Sequence, residues 1–213
     1  MKQHYLTILL FCCALSLLLF NQQSSAYTDK SIKFSHLNNE DGITQSSILD
    51  IAQDERGYIW IGTQDGLNRY DGHEVEQFYA TKGAGRSLSS SYIGSLRLDR
   101  SGNVWALTGS GLDMIDTDTL DIKNWYPKLK SYFDKTYPAQ ISLQRTVIDF
   151  SFDDAHLWVL LDNKDLLRVN LETEEVSLVD TVAMQIAENE IKGIVVTDTS
   201  DLIIFTGKCF YTY

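Results

Sequence analysis

From residue 48 onward, apolar and polar positions alternate in short blocks rather than with a helical period. Residues 48–53 (Ile-Leu-Asp-Ile-Ala-Gln) alternate only loosely, as a strand buried on both faces does. Asp54 and Gly57 bound a turn: the carboxylate can accept backbone N–H bonds and the glycine supplies positive φ. Residues 59–63 are β-branched and aromatic and predict a second strand. Gln64-Asp65-Gly66 turns the chain again, residues 67–70 form a third strand, Asp71-Gly72 signals a hairpin, and residues 75–79 supply a fourth. The same order recurs through Trp125. Residues 182–192 are the one stretch with a trace of helical period.

The recurrence has a fixed spacing of 45 residues, so that Asp54, Gly57, Trp60, Thr63, Gly66, Leu67 and Asp71 map onto Asp99, Gly102, Trp105, Thr108, Gly111, Leu112 and Asp116 without a gap. A third copy repeats an acidic turn at Asp153 and Asp154 and the tryptophan at Trp158. In the fourth, Ile203 stands 45 residues after Trp158 and Thr206 falls where Thr63 and Thr108 fall. Four antiparallel strands per unit of this length predict an all-β fold: a β-propeller of about four blades, near residues 38–80, 81–127, 140–180 and 185–213, forming an incomplete ring. One such sheet cannot cover both of its own faces. Trp60, Trp105 and Trp158 are therefore expected to act as wedges between neighbouring sheets.

The first 26 residues stand outside this pattern. Lys2 and His4 precede an uncharged run over residues 5–20, and Ser24 and Ala26 are small residues at the positions a signal peptidase reads. A signal peptide over residues 1–26 implies export. It carries off Cys12 and Cys13, leaves Cys209 as the last thiol, and so excludes an internal disulfide. The remainder holds 17 Lys and Arg against 29 Asp and Glu, a balance that argues against nucleic acid and anionic membrane as partners.

The run Asp54-x-x-Gly57-x-Ile59-Trp60-Ile61-Gly62-Thr63-x-x-Gly66-Leu67-x-x-Tyr70-Asp71 resembles the two-component regulator propeller repeat. The second copy departs from that pattern at Ala106-Leu107. The lead-in, Phe34-Ser35-His36-Leu37 followed by Asp41-Gly42-Ile43-Thr44, resembles the start of such domains. The likeness is good over residues 32–170 and poor beyond. It implies the periplasmic sensor of a hybrid histidine kinase, responding to oligosaccharides, with further blades, a β-sandwich, a membrane span and a kinase downstream. Partners on this reading are an oligosaccharide, a second copy as homodimer, or the downstream sensor and kinase domains. No membrane-spanning stretch follows residue 26. Tyr213 aligns with Tyr70, so the chain reads as a sensor segment cut short before the kinase. Closure as a four-bladed ring, with residues 32–37 supplying the missing strand, is the other architectural reading. A stand-alone carbohydrate-binding or protein-interaction propeller is the alternative function.

No catalytic site, cofactor or metal is expected; kinase activity would belong to a part of the parent protein absent here. The Asp-x-x-Gly-x-x-Trp turn also resembles the Asp-box of sialidases. Their chemistry needs an arginine cluster and a tyrosine nucleophile, and no spacing among Arg56, Arg69, Arg86, Arg97, Arg100, Arg145 and Arg168 singles out three. Asp113, Asp116, Asp118 and Asp121 lack the glycine and terminal glutamate of a calcium loop and read as hairpin acids. The four histidines are scattered. Binding is expected in loops, at residues 81–91 and in the aromatic-basic segment 125–137. There Trp125, Tyr126, Tyr132 and Tyr137 are candidates for stacking on sugar rings, or else cover the outer edge of the second sheet.

Overall fold

The computed structural model describes residues 35–81, 83, 86–136, 145–181 and 191–213. The segment read as a signal peptide, Ile32–Phe34, Tyr137 and residues 182–190 lie outside the described residues. Two units divide the chain, Met1–His36 and Leu37–Tyr213, and the propeller sheets all belong to the second.

Four antiparallel sheets follow one another. The first holds β1 (Ile48–Gln53), β2 (Ile59–Thr63), β3 (Gly66–Tyr70) and β4 (Val75–Phe78). The second holds β5 (Ile93–Leu98), β6 (Val104–Thr108), β7 (Gly111–Ile115) and β8 (Ile122–Asn124). The third holds β9 (Val147–Phe152), β10 (His156–Leu161), β11 (Leu166–Asn170) and β12 (Val176–Leu178). The fourth holds three strands, β13 (Ile191–Val196), β14 (Leu202–Thr206) and β15 (Phe210–Thr212). Each is an up-and-down meander in chain order. The sheets stack as propeller blades, and the ring they form is incomplete.

The expected strand bounds hold within a residue or two. Three expectations do not. Ile191 and Lys192, at the end of the stretch with a trace of helical period, open strand β13. Ser35, His36 and Leu37 form no strand, so those three residues supply no fourth strand for the last sheet. Residues 126–136, read as an irregular insertion, form an α-helix, α1 (Tyr126–Thr136).

The helix has a local cause. Asn124 Oδ1 accepts the Tyr126 N–H at 2.8 Å, satisfying one of the unpaired donors of the first turn. Pro127 stands in that first turn, where a missing N–H costs nothing. Trp125, Leu129 and Phe133, spaced by four, then make a buried stripe that joins the core between the second and third sheets.

That core is one of three, each shared by two neighbouring blades. Trp60, Leu67 and Phe78 of the first sheet pack against Ile93, Leu96, Val104 and Ile115 of the second. Trp105 and Leu112 pack against Phe150, Leu157 and Val159 of the third. Trp158, Leu160 and Leu166 pack against Ile194, Leu202 and Ile204 of the fourth. The tryptophans are 0%, 1% and 5% exposed, as wedges should be.

The acidic turn explains why each wedge recurs with its aspartate. Asp54 Oδ1 accepts the Arg56 and Tyr58 N–H groups at 3.0 Å, and its Oδ2 accepts the Trp60 Nε1–H at 2.8 Å. Asp99 does the same for Ser101, Asn103 and Trp105. In the third blade Asp153 serves Ala155, His156 and Trp158 from a turn one residue shorter. Burial pushes the Asp153 carboxyl up, but the Ala155 N–H, the Trp158 indole and the His156 N–H outweigh it and hold the group below its ordinary value.

A second recurring device closes the β2–β3 type of turn. Thr63 Oγ1 donates to Gly66 O and accepts from Asp65 N, and Thr108 repeats this with Gly111 and Ser110. Gly111 has φ +139°, and a Cβ there would lie 2.6 Å from the Tyr126 Cβ. Gly111→Ala is expected to lower stability by about 1–3 kcal/mol, read as a shift in the urea midpoint; an unchanged midpoint would show that the helix start yields freely.

Candidate functional site

The first strand of each sheet lies beside that of a neighbour, β1 against β5 and β9 against β13, so the inner strands converge. Side chains of one inner strand bond to the backbone or side chains of the next. Asp50 Oδ2 accepts the Leu96 N–H at 2.7 Å, and Asp149 Oδ2 accepts the Ile194 N–H at 2.8 Å. Ser151 Oγ accepts the Val196 N–H at 2.8 Å. Strand register makes Asp50, Ser95, Asp149 and Gly193 equivalent. Where the second blade has the shorter Ser95, Arg97 takes over the link. Its guanidinium pairs with Asp149 Oδ1 at 2.8 Å, donates to Phe150 O, and lies 5.0 Å from the centre of the Phe150 ring.

These inner strands line a solvent-open cleft of about 370 Å³ bordered by Arg97, Arg100, Ser151, Phe152, Val195 and Asp198, among others. Arg100 bridges three successive turns: it stands in the second blade's acidic turn, donates to Asp154 Oδ1 at 2.7 Å in the third, and to Asp198 O at 2.9 Å in the fourth. The lining therefore offers guanidinium donors, a hydroxyl and an aromatic ring. A cleft of similar size at the outer edge of the first blade is lined by Tyr58, Arg69, Asp71, Glu74, Val75 and Glu76. There Arg69 is engaged by Glu76 at 2.6 Å and by the Tyr58 ring at 4.6 Å. Of these two clefts, the inner one draws on three repeats.

The aromatic candidates stand elsewhere. Trp125 is 3% exposed, tilts against Trp105 at 5.5 Å between ring centres, and carries the Lys123 ammonium 4.2 Å from its ring centre. No face of it is open to a sugar. Tyr126 is half-buried and donates its hydroxyl to Arg145 O at 3.1 Å. Tyr132, also half-buried, packs on the core edge beside Phe133. Tyr137 lies outside the described residues. Trp125, Tyr126 and Tyr132 form no shared open platform, because the helix turns its apolar stripe inward. Lys123 and Lys128 beside them converge on Glu174 and pull its carboxyl down to about 2.

The four acids read as hairpin residues do separate work. Asp116 Oδ1 accepts the Asp118 and Thr119 N–H groups, while Asp118 and Asp121 face Arg56 and Arg86. Asp113 is instead fully buried, its Oδ2 accepting the Ser89 N–H and hydroxyl at 2.7 and 2.9 Å. The first blade has Asn68 at the equivalent position, accepting from Thr44 N and donating to Thr44 Oγ1 and Ile61 O. Asp113 Oδ1 is buried without a hydrogen-bond partner, and burial raises the carboxyl pKa, partly offset by the Ser89 bonds. Among the described residues no three His, Cys, Asp or Glu side chains gather as a metal site, and no helix is long and apolar enough to cross a membrane.

Comparison with known proteins bears on the repeat and the fold. The family described as two component regulator propeller matches residues 42–65. Histidine kinase P4 of Formosa agariphila is 61% identical over 33 residues, which are 16% of this chain and 2% of the kinase. The extracellular domain of a putative hybrid two component system from Bacteroides thetaiotaomicron superposes with a TM-score of 0.60 at 17% identity, over 84% of this chain and 26% of that one. That of a putative one component system from the same organism gives 0.62 at 19% identity, over 86% and 23%. The chain thus spans about a quarter or less of each of these proteins. Residues 42–65 thus match the two component regulator propeller repeat, and the sheets share their blade architecture with propeller domains.

Proposed function

We propose that the chain is the ligand-sensing propeller segment of a two-component regulatory system, working outside the cytoplasmic membrane and doing no chemistry itself. The 61% identity with a histidine kinase over 33 residues carries this reading, and the likeness to extracellular domains of such systems supports it. The ligand we assign is an oligosaccharide, held in the cleft of the inner strands. Forked guanidinium donors at Arg97 and Arg100, the Ser151 hydroxyl and the Phe152 ring suit sugar hydroxyls and an apolar sugar face. A ligand touching three blades would favour one spacing of them over others, and a downstream domain would read that bias.

Calorimetric titration of the purified chain with neutral and acidic oligosaccharides tests this. Saturable binding is expected, weakened about tenfold or more by Arg100→Ala. Arg100 and its partner Asp154 are half or more exposed, so the variant keeps its fold. Failure of every oligosaccharide to bind, or equal binding by the variant, would refute the cleft as the sensing site.

A further inference from the structure

On the face that packs against the following blade, the third strand sets one residue beside the wedge. In two blades that residue is an arginine: Arg69 is the register partner of Trp60, and Arg168 that of Trp158. Met114 and Thr212 hold the place in the second and fourth blades. The two guanidiniums lie alike, 5.8 and 6.0 Å from the centres of their indole rings. Their neighbours on the fourth strand differ. Glu76 is paired with Arg69 and grips its guanidinium at 2.6 Å. Ser177 is paired with Arg168, and its hydroxyl donates to the Arg168 main-chain oxygen at 3.3 Å instead. Among the described residues no carboxylate pairs with the Arg168 side chain.

The half-buried Arg168 guanidinium borders a cleft of about 160 Å³, lined also by His156, Asn170, Glu175 and Ser177. The equivalent rows of the first blade, including Tyr58, Arg69 and Glu76, border the outer cleft of about 380 Å³, beside a second blade with all four strands in place. The opening is therefore a property of the repeat at this rim. We infer that the third-blade cleft binds a carboxylate carried by a small ligand, which takes the place Glu76 fills in the first blade. A guanidinium fork meets a carboxylate in two parallel N–H···O bonds. Asn170 Oδ1 already accepts the Glu172 and Thr173 N–H groups at 3.0 and 2.8 Å, which leaves its NH2 group to donate to the same anion. Exposed Glu175 opposes a second negative charge, so a single acid group is favoured over a polyanion. The site lies on the outer strands and stands whatever fills the inner cleft.

The test is an NMR titration of the isotope-labelled purified chain with propionate and glucuronate, and with propionamide and glucose as uncharged controls. Both acids are expected to give saturable shifts gathered on β10, β11 and β12, and the controls none. Arg168→Gln is expected to weaken binding more than about tenfold, since the fork is lost. Ser177→Glu rebuilds the pair that the first blade already holds, so it is expected to block the acids while its melt equals or exceeds that of the wild type. That variant keeps the test decisive if Arg168→Gln proves poorly folded. Absence of saturable shifts with either acid overturns the proposal. So do controls that match the acids, shifts gathered at Arg100 and Ser151 instead, or a Ser177→Glu chain that binds as the wild type does.

Discussion

Replacing Trp105 with Ala is expected to cost about 3–5 kcal/mol of folding stability, enough to remove much of the margin of an ordinary domain. The indole is 1% exposed and lies against Trp125 and Phe152 with ring centres 5.5 and 6.0 Å away. Truncation opens a void among residues of the second and third blades and of α1, none of which has a spare side chain to fill it. It also takes away the indole N–H that Asp99 Oδ2 accepts at 2.8 Å, while leaving the turn bonds to Ser101 and Asn103 in place. A chemical melt of the variant measures the loss. Trp158→Ala, at a site with a longer 3.1 Å indole bond and 5% exposure, should lose less. A cost below about 1 kcal/mol for Trp105→Ala would mean that the wedge does not hold the blades together.

Asp113→Asn is expected to act in the opposite direction and stabilise the chain, by about 1–3 kcal/mol near neutral pH. In the first blade the amide of Asn68 donates to Ile61 O, the cross-strand neighbour in β2. Asp113 faces Ala106 in the same register and, when ionised, has no proton to give. Its Oδ1 is left buried without a hydrogen-bond partner. Burial raises the folded carboxyl above its unfolded value, so the proton is held more tightly in the folded chain. The contribution of this group is therefore fully present below the unfolded carboxylate range and is lost as pH rises through the folded value. Asparagine has no such dependence. Urea melts of both proteins at about pH 8 and about pH 5 should show the advantage of the variant shrink at the lower pH. A variant less stable than wild type at both values would show that the acid is correctly placed as it is.

The repeat made most of the architecture legible. Asp54, Trp60 and Thr63 recur because each makes the same bonds in its own blade, and a bond that recurs keeps its residue type in register. Helix α1 was missed although Asn124, Pro127 and the spacing of Trp125, Leu129 and Phe133 all announce it. It falls between two copies, and measured against the 45-residue pattern it looked like an insertion rather than an element with its own buried face. The inner cleft was hidden for a different reason. The link between inner strands changes from blade to blade: Asp50 and Asp149 accept main-chain N–H groups of the next strand, but Ser95 and Gly193 stand at the same register in the second and fourth blades and Arg97 makes the second link, so the identity is broken at every other copy. The 45-residue spacing maps Asp50 onto Ser95, and strand pairing adds that Asp149 stands at the same register. Trp125 serves a core and Tyr126 and Tyr132 lie half-buried beside it, and composition alone does not separate that use from sugar stacking.

Arg100 ties three turns together. It reaches from one acidic turn to the next two, and its partners there are a half-exposed carboxylate and a main-chain oxygen. A tether spanning three blades from their rim works like the string across a fan: tilting any one leaf slackens or strains it. Whatever enters beside that guanidinium competes for the same hydrogens, so occupancy and the splay of the leaves become one variable rather than two.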